Sequence, residues 1–326
     1  MRSLLLAVSI LAGACVPAFA QSCPDHPDAI GTSRTITVDP AKLPRIGTIQ
    51  YHDTVPLEDH EVVITLDDGP IPPYSDKILD ILKDNCVKVT YFLVGEMARA
   101  HPWLVRRIYN EGHTIGTHSE THPLALDRKG MPRIEHEIDA GFESVRNAAG
   151  DPNAVSPFFR IPGLARSNAM EDYLASKSIA VWSADEVADD WFRGISADQI
   201  ARRAIKRIEE RGRGVLLLHD IHPATVMALP TILKELKERN YHIVHVIAPG
   251  DRPKSVPELA PPVAAHEAWP RIVKASLGER THHHARRSLR HRIRSVVHKR
   301  RHHADAKVSV NGDYAAVAME QRGSRY

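Results

Sequence analysis

From about residue 58 to 250 the chain alternates short apolar runs with amphipathic stretches, and this alternation limits the fold more than any other feature. Runs at 62–66, 87–93, 113–117, 158–161, 179–183, 215–218 and 242–247 have strand length and are rich in β-branched or aromatic residues. Between most of them the apolar period lengthens to that of a helix, at 76–84, 103–111, 134–149, 169–177, 197–211 and 224–239. Ser196 with Gln199 reads as a capping box, and Gly112 and Gly212 stand where helices end. Strands that alternate with helices predict an α/β fold with a parallel sheet. About seven units suit a distorted (β/α) barrel; a doubly wound open sheet is the alternative. In both, a ligand site lies beyond the carboxyl ends of the strands.

The chemistry-bearing residues cluster at those ends. Val62-Val63-Ile64-Thr65-Leu66 runs straight into Asp67-Asp68-Gly69-Pro70. Two adjacent carboxylates at the end of a buried strand repel one another, and a nearby cation relieves that cost. A solvated turn is the plainer explanation of the same residues. After the third strand comes His118-Ser119-Glu120-Thr121-His122, with two imidazoles four apart. On a helical turn they face the same way, which suits a divalent metal. Two His and one carboxylate leave coordination positions open, as hydrolytic zinc sites require. Arg160 follows Phe158-Phe159, a costly place for a guanidinium unless it meets a carboxylate; otherwise it is a surface ion pair. Asp185, Asp189, Asp190 and Trp191 follow the fifth strand, and His219-Asp220 ends the sixth. Acidic neighbours could hold His219 protonated as a general acid, although a hydrogen-bonded structural His is the commoner case.

Taken in order, Thr65-x-Asp67-Asp68-Gly69-Pro70, His118-Ser119-x-x-His122, Arg160-x-Pro162-Gly163, Asp190-Trp191 and Leu217-Leu218-His219-Asp220 resemble the polysaccharide deacetylase domain, the NodB-homology domain of carbohydrate esterase family 4. The resemblance covers roughly residues 58–250 and implies a distorted β/α barrel. It implies that Asp68, His118 and His122 bind a divalent metal, Zn2+ first, with Co2+, Ni2+ or Mn2+ as alternatives. Asp67 matches the catalytic base, Arg160 the residue that positions it, and His219 the acid that protonates the leaving amine. Asp190 stands in the place of the carboxylate that tunes His219, and a backbone N–H near Gly163 would help hold the oxyanion. Two departures stand out. The family usually has an aromatic residue where Gly163 stands, so a sugar contact is either missing or supplied elsewhere, with Trp191 or Phe192 as candidates. The acidic motif is stretched, which leaves open whether Asp185, Asp189 or Asp190 faces His219.

The implied activity is hydrolysis of N-acetyl groups on GlcNAc-containing glycans such as peptidoglycan or chitooligosaccharide. An O-acetyl esterase uses the same intermediate, and an inactive glycan-binding domain is a further reading, opposed by the intact set of site residues. No nucleic-acid partner is expected, and a monomer is.

Residues 1–20 combine Arg2, an apolar stretch at 4–16 and Ala18-Phe19-Ala20, the pattern of a removed secretory signal. The stretch is short for a membrane span. A lipoprotein signal acylated on Cys15 ranks second. Secretion or a periplasmic location follows, with residues 21–57 as a lead to the domain. Export leaves Cys23 and Cys86, either bonded or as two free thiols. Residues 251–326 are Pro-rich and then Arg/His-rich, the texture of a linker and disordered tail. Residues 280–307 hold eight Arg and two Lys against one Asp, a local charge of +9 within a formal net of +3. The rest of the chain is therefore acidic. Such a tail could dock on anionic envelope polymers or lipid headgroups, or simply be solvated.

Overall fold

The structure, a computed structural model, describes Cys23 and residues 26–250 of the 326. The expected signal, Cys15 and the expected tail with its basic stretch at 280–307 lie outside the described residues. The strands are β1 (Thr32–Thr37), β2 (Arg45–Ile46), β3 (Glu61–Asp67), β4 (Thr90–Leu93), β5 (Thr114–Thr117), β6 (Phe158–Arg160), β7 (Ala180–Trp182), β8 (Glu186–Val187), β9 (Gly214–His219) and β10 (His242–Ile247). The helices are α1 (Tyr74–Asp84), α2 (Gly95–Ala100), α3 (Pro102–Asn110), α4 (Met131–Ala149), α5 (Asn168–Ser176), α6 (Ala197–Arg211) and α7 (Pro223–Glu238).

Strands β3 to β7 lie side by side in sequence order, β9 returns to pair with β3, and every pairing is parallel. A doubly wound sheet would reverse its order partway, so the wound-up ladder is that of a distorted barrel. Its interior is apolar at the base. Ile46, Val63, Phe92, Phe158, Trp182 and Val215 form one buried cluster, with Phe158 and Trp182 rings 5.1 Å apart. Gly116 on β5 makes room there, since a Cβ would sit 2.9 Å from the Phe92 ring.

Strand pairing does not close the ladder between β2 and β8; a side chain spans that seam. Asp185, fully buried, accepts the Thr48 N–H (2.8 Å) and hydroxyl (2.7 Å) on one side. On the other it accepts the Val215 N–H of β9 (2.8 Å). Gly47 beside it has φ +106°, and a Cβ there would lie 2.6 Å from the Ala184 nitrogen.

Some elements differ from their sequence expectation. The run at 87–93 enters the ladder only at Thr90, because the Val87 N–H turns back to the Leu82 carbonyl (2.9 Å) and Cys86 adopts φ +52°. Cys86 is bonded to Cys23 across a Cα separation of 5.8 Å, which rules out the pair of free thiols. The lead at 21–57 contributes β1, paired with β10, and β2, paired with β7. The capping box is present, with Gln199 N–H donating to Ser196 Oγ (3.2 Å), and Gly212 ends α6 at φ +84°.

Two stability changes follow. Replacing Asp185 by Ala leaves the Val215 and Thr48 N–H groups without partners and is expected to cost about 2–4 kcal/mol in urea unfolding; an unchanged midpoint would remove Asp185 from the seam. Replacing both Cys23 and Cys86 by Ser opens a 63-residue separation and is expected to cost about 2–4 kcal/mol. Identical unfolding midpoints for oxidised and reduced protein would count against that bond.

Candidate active site

Side chains alternate across a strand, so Val63, Thr65 and Asp67 share the interior face of β3 while Ile64 and Leu66 face the helices. Asp67 lies opposite His219 of β9. Asp68 follows Asp67 and should point away, but it adopts φ +76°, and its carboxylate comes round to the same mouth.

The centre of the mouth is a ligand set. His118 Nε2 and His122 Nε2 are 3.1 Å apart, and Asp68 Oδ1 lies 3.1 Å from His122 Nε2 and 3.4 Å from His118 Nε2. A tetrahedral site with metal–ligand distances of about 2.05 Å has edges of about 3.3 Å. Asp68 Oδ1 is buried without a hydrogen-bond donor. His118 Nδ1 donates to the Arg160 carbonyl (2.6 Å), which fixes the tautomer and turns the Nε2 lone pair inward. One carboxylate and two imidazoles thus fit a divalent cation of the zinc class.

The protonation states suit that reading. Burial pulls the Asp68 pKa upward, but the imidazoles of His122 and His219 outweigh it and hold the carboxyl well below the usual range. Burial, with His122 adding to it, drives His118 well below the usual imidazole value, so the ring is neutral.

Arg160 is fully buried, which excludes the surface ion pair. Its guanidinium donates to Asp67 Oδ1 (2.7 Å), Thr65 Oγ1 (2.7 Å) and the Ser183 carbonyl (2.8 Å), and lies 4.2 Å over the Phe92 ring. Burial raises the Asp67 pKa to about 6, with Asp68 adding and Arg160 and His219 opposing. The other Asp67 oxygen faces the ligand set, 3.9 Å from His118 Nε2.

Of the three acidic candidates, Asp190 meets His219. Its Oδ1 accepts from His219 Nδ1 (2.8 Å), and its Oδ2 accepts the His219 N–H (2.7 Å) and the Thr225 hydroxyl (2.7 Å). Asp185 is taken by the barrel seam, and Asp189 pairs with Arg203 and Arg207 at 2.9 Å each. Burial alone favours a neutral His219, yet Asp190 and Asp68 overcome it and push the pKa up to about 10. His219 is therefore cationic, and its Nε2 lies 3.9 Å from Asp68 Oδ2.

The His118–His122 pair departs from the expected helical turn. The segment is a loop in which Ser119 (φ +68°) and His122 (φ +53°) are left-handed, and Ser119 Oγ accepts the His122 N–H (3.0 Å). Trp191 is half-buried, set edge-on to His219 (5.6 Å) and packed on Ala184, Val187 and Leu217. Gly163 follows Pro162 in a tight turn at φ +58°.

Other contributors had no role assigned to them from the sequence. Gln50 Nε2 donates to the Leu164 carbonyl (2.6 Å), and the Arg166 guanidinium lies 5.3 Å over the Tyr51 ring, so the β2–β3 connection lies against the Gly163 turn. Asp220, quoted above only as part of a motif, accepts from Ser75 Oγ (2.5 Å) and presses on Gly69, where a Cβ would sit 2.3 Å from its oxygens.

Comparison with known proteins agrees with this geometry. The family model for polysaccharide deacetylases matches residues 54–182. A peptidoglycan-N-acetylglucosamine deacetylase of Bacillus cereus is 33% identical over 185 residues, covering 55% of this chain and 66% of that protein, just under two thirds of its length. A chitooligosaccharide deacetylase of Sinorhizobium fredii is 30% identical over 214 residues, covering 60% of this chain and 95% of that protein. Among solved structures, the peptidoglycan deacetylase Bd3279 of Bdellovibrio bacteriovorus aligns with a TM-score of 0.60 at 29% identity, covering 70% of this chain and 62% of that one. With the motif residues gathered at one barrel mouth and relatives of this kind, the chain belongs to the polysaccharide deacetylase family, the NodB-homology domains of carbohydrate esterase family 4.

Proposed function

We propose that the protein is a divalent-metal-dependent deacetylase that hydrolyses the N-acetyl amide of GlcNAc units in a glycan of the peptidoglycan or chitooligosaccharide kind. The observation that carries this reading is the ligand triad Asp68, His118 and His122, flanked by a base held on Arg160 and a cationic imidazole held on Asp190. The names of the relatives support the substrate class.

A divalent cation on the triad, Zn2+ by its donor set, supplies acidification of a water and polarisation of the acyl carbonyl. The remaining work falls to the chain. Asp67, held on Arg160 through one oxygen, takes the proton of the attacking water with the other. His219 carries its Nδ1–H to Asp190 and presents Nε2–H to the nitrogen. Amines are poor leaving groups until protonated, so the C–N bond breaks as that proton transfers, releasing acetate and a free amine and leaving His219 neutral. An acid that starts the cycle protonated suits an amide more than an ester, whose alkoxide leaves with less help.

We also read the protein as exported. Residues 1–20 support this, and so does the Cys23–Cys86 bond, since such bonds persist in oxidising compartments. A mature protein isolated from the periplasm or medium should begin at Gln21; an intact Met1 in the cytosolic fraction would contradict export. Residues 280–307 are proposed to retain it on anionic envelope polymer, which salt-insensitive retention after deletion of residues 280–326 would disprove.

The activity is tested by acetate release from N-acetylated chitooligosaccharide and from peptidoglycan, with loss on chelation and return on adding Zn2+. Asp67→Asn is expected to lower turnover by about 10²–10⁴-fold with Zn2+ affinity little changed. Asp68→Asn should lose both turnover and affinity. Equal metal affinity in the two variants would undo the division of labour between them. A metal-loaded protein that releases acetate from no N- or O-acetylated glycan would end the deacetylase reading.

A further inference from the structure

His122 is the ligand whose position is hardest to account for locally. It stands on an irregular loop with two left-handed non-glycine residues, Ser119 and His122, and not at a strand end. The bond from the His122 N–H to Ser119 Oγ (3.0 Å) closes the turn from within, and neighbours fix the rest of its shape. From α2, the Gly95 and Glu96 N–H groups donate to the Ser119 and Glu120 carbonyls, both at 2.9 Å. From α4 comes Glu137, whose side chain is completely buried.

Glu137 sits inside a helix, where an apolar residue would be cheaper to bury. Its Oε2 accepts the backbone N–H of Glu120 (3.1 Å) and Thr121 (2.8 Å). Its Oε1 accepts the Thr121 hydroxyl (2.7 Å) and a short bond from Arg133, and its main-chain carbonyl accepts the Glu120 N–H (2.9 Å). One turn further along α4, Gly141 lies so close to the loop that a Cβ would be 2.8 Å from the Ser119 carbonyl carbon. Apart from Arg133, every donor to this carboxylate belongs to the two residues just before His122.

We propose that Glu137 is a positioning residue: it binds no metal and touches no substrate, and it fixes the 119–121 backbone so that His122 completes the ligand triad. This rests on the metal reading above. The expected cost of losing such support is about 10–100-fold in metal affinity, the range for groups that orient ligands from behind.

The test is a double-mutant cycle read by Zn2+ dissociation constants from chelator competition, with the melting of the metal-free protein measured alongside. Glu137→Ala and Glu137→Gln are each made alone and with His122→Ala. The Gln variant keeps one carbonyl oxygen for the two N–H groups, so it should retain most of the affinity that Ala loses. Both effects should vanish in the His122→Ala background, because the group they act through is gone. Wild-type affinity in both variants, or an equal loss with and without His122, would overturn the proposal even if the metal-free protein melts earlier. Should the Ala variant not fold, the Gln variant carries the same cycle. A wild-type protein that binds no Zn2+ would overturn the metal reading itself, and this inference with it.

Discussion

The buried guanidinium of Arg160 organises this site. A charge removed from water requires compensation from several sides, and here the compensation comes from different strands. Asp67 and Thr65 supply it from β3 and Ser183 from the end of β7, while Phe92 of β4 lies beneath the ion. The Arg160 carbonyl in turn accepts from His118 at the end of β5. One residue thus aligns the base and one metal ligand in a single network. Hydrogen bonds within such a buried network reinforce one another because the surroundings screen them weakly.

That network sits on an apolar base. Along the interior of β3 the side chains pass from Val63 through Thr65 to Asp67, and along β9 from Val215 through Leu217 to His219. Phe158 precedes Arg160 by the same two-residue step on β6. The alternation that builds the barrel therefore sorts each strand into a packed lower part and a chemical tip. The tips meet because the strands are parallel and all end at one mouth.

Charge at the mouth is divided by environment. Asp67, Asp68 and Asp190 are the same residue type in one small volume, and each has a different partner: a guanidinium, a set of imidazoles, and the Nδ1–H of His219. Asp185 and Asp189 are chemically equivalent candidates in the sequence, yet one bridges the barrel seam and the other pairs with two arginines of α6. Proximity in sequence carries no information about which carboxylate meets which cation.

The sequence by itself determined the parallel α/β architecture, since strand and helix periods alternate clearly from residue 58 onward; the capped helix Ala197–Arg211 was legible to the residue and the others to within a few residues. It also pointed to a shared mouth, because Asp67, Asp68, His118, Arg160 and His219 all stand at or just past strand ends, while leaving open which of Asp185, Asp189 and Asp190 joins them. Short or two-residue strands such as Arg45–Ile46 and Glu186–Val187 carry too few residues to show a period. Only the tertiary structure decided how the carboxylates are shared out, that Cys23 reaches Cys86, and that Glu137 of α4 holds the backbone of Glu120 and Thr121 just before His122. The physical reason is common to all three. Local pattern encodes burial and period, whereas a left-handed turn at Asp68 or Ser119, or a hydrogen bond across the barrel, exists only once distant backbone has been brought together.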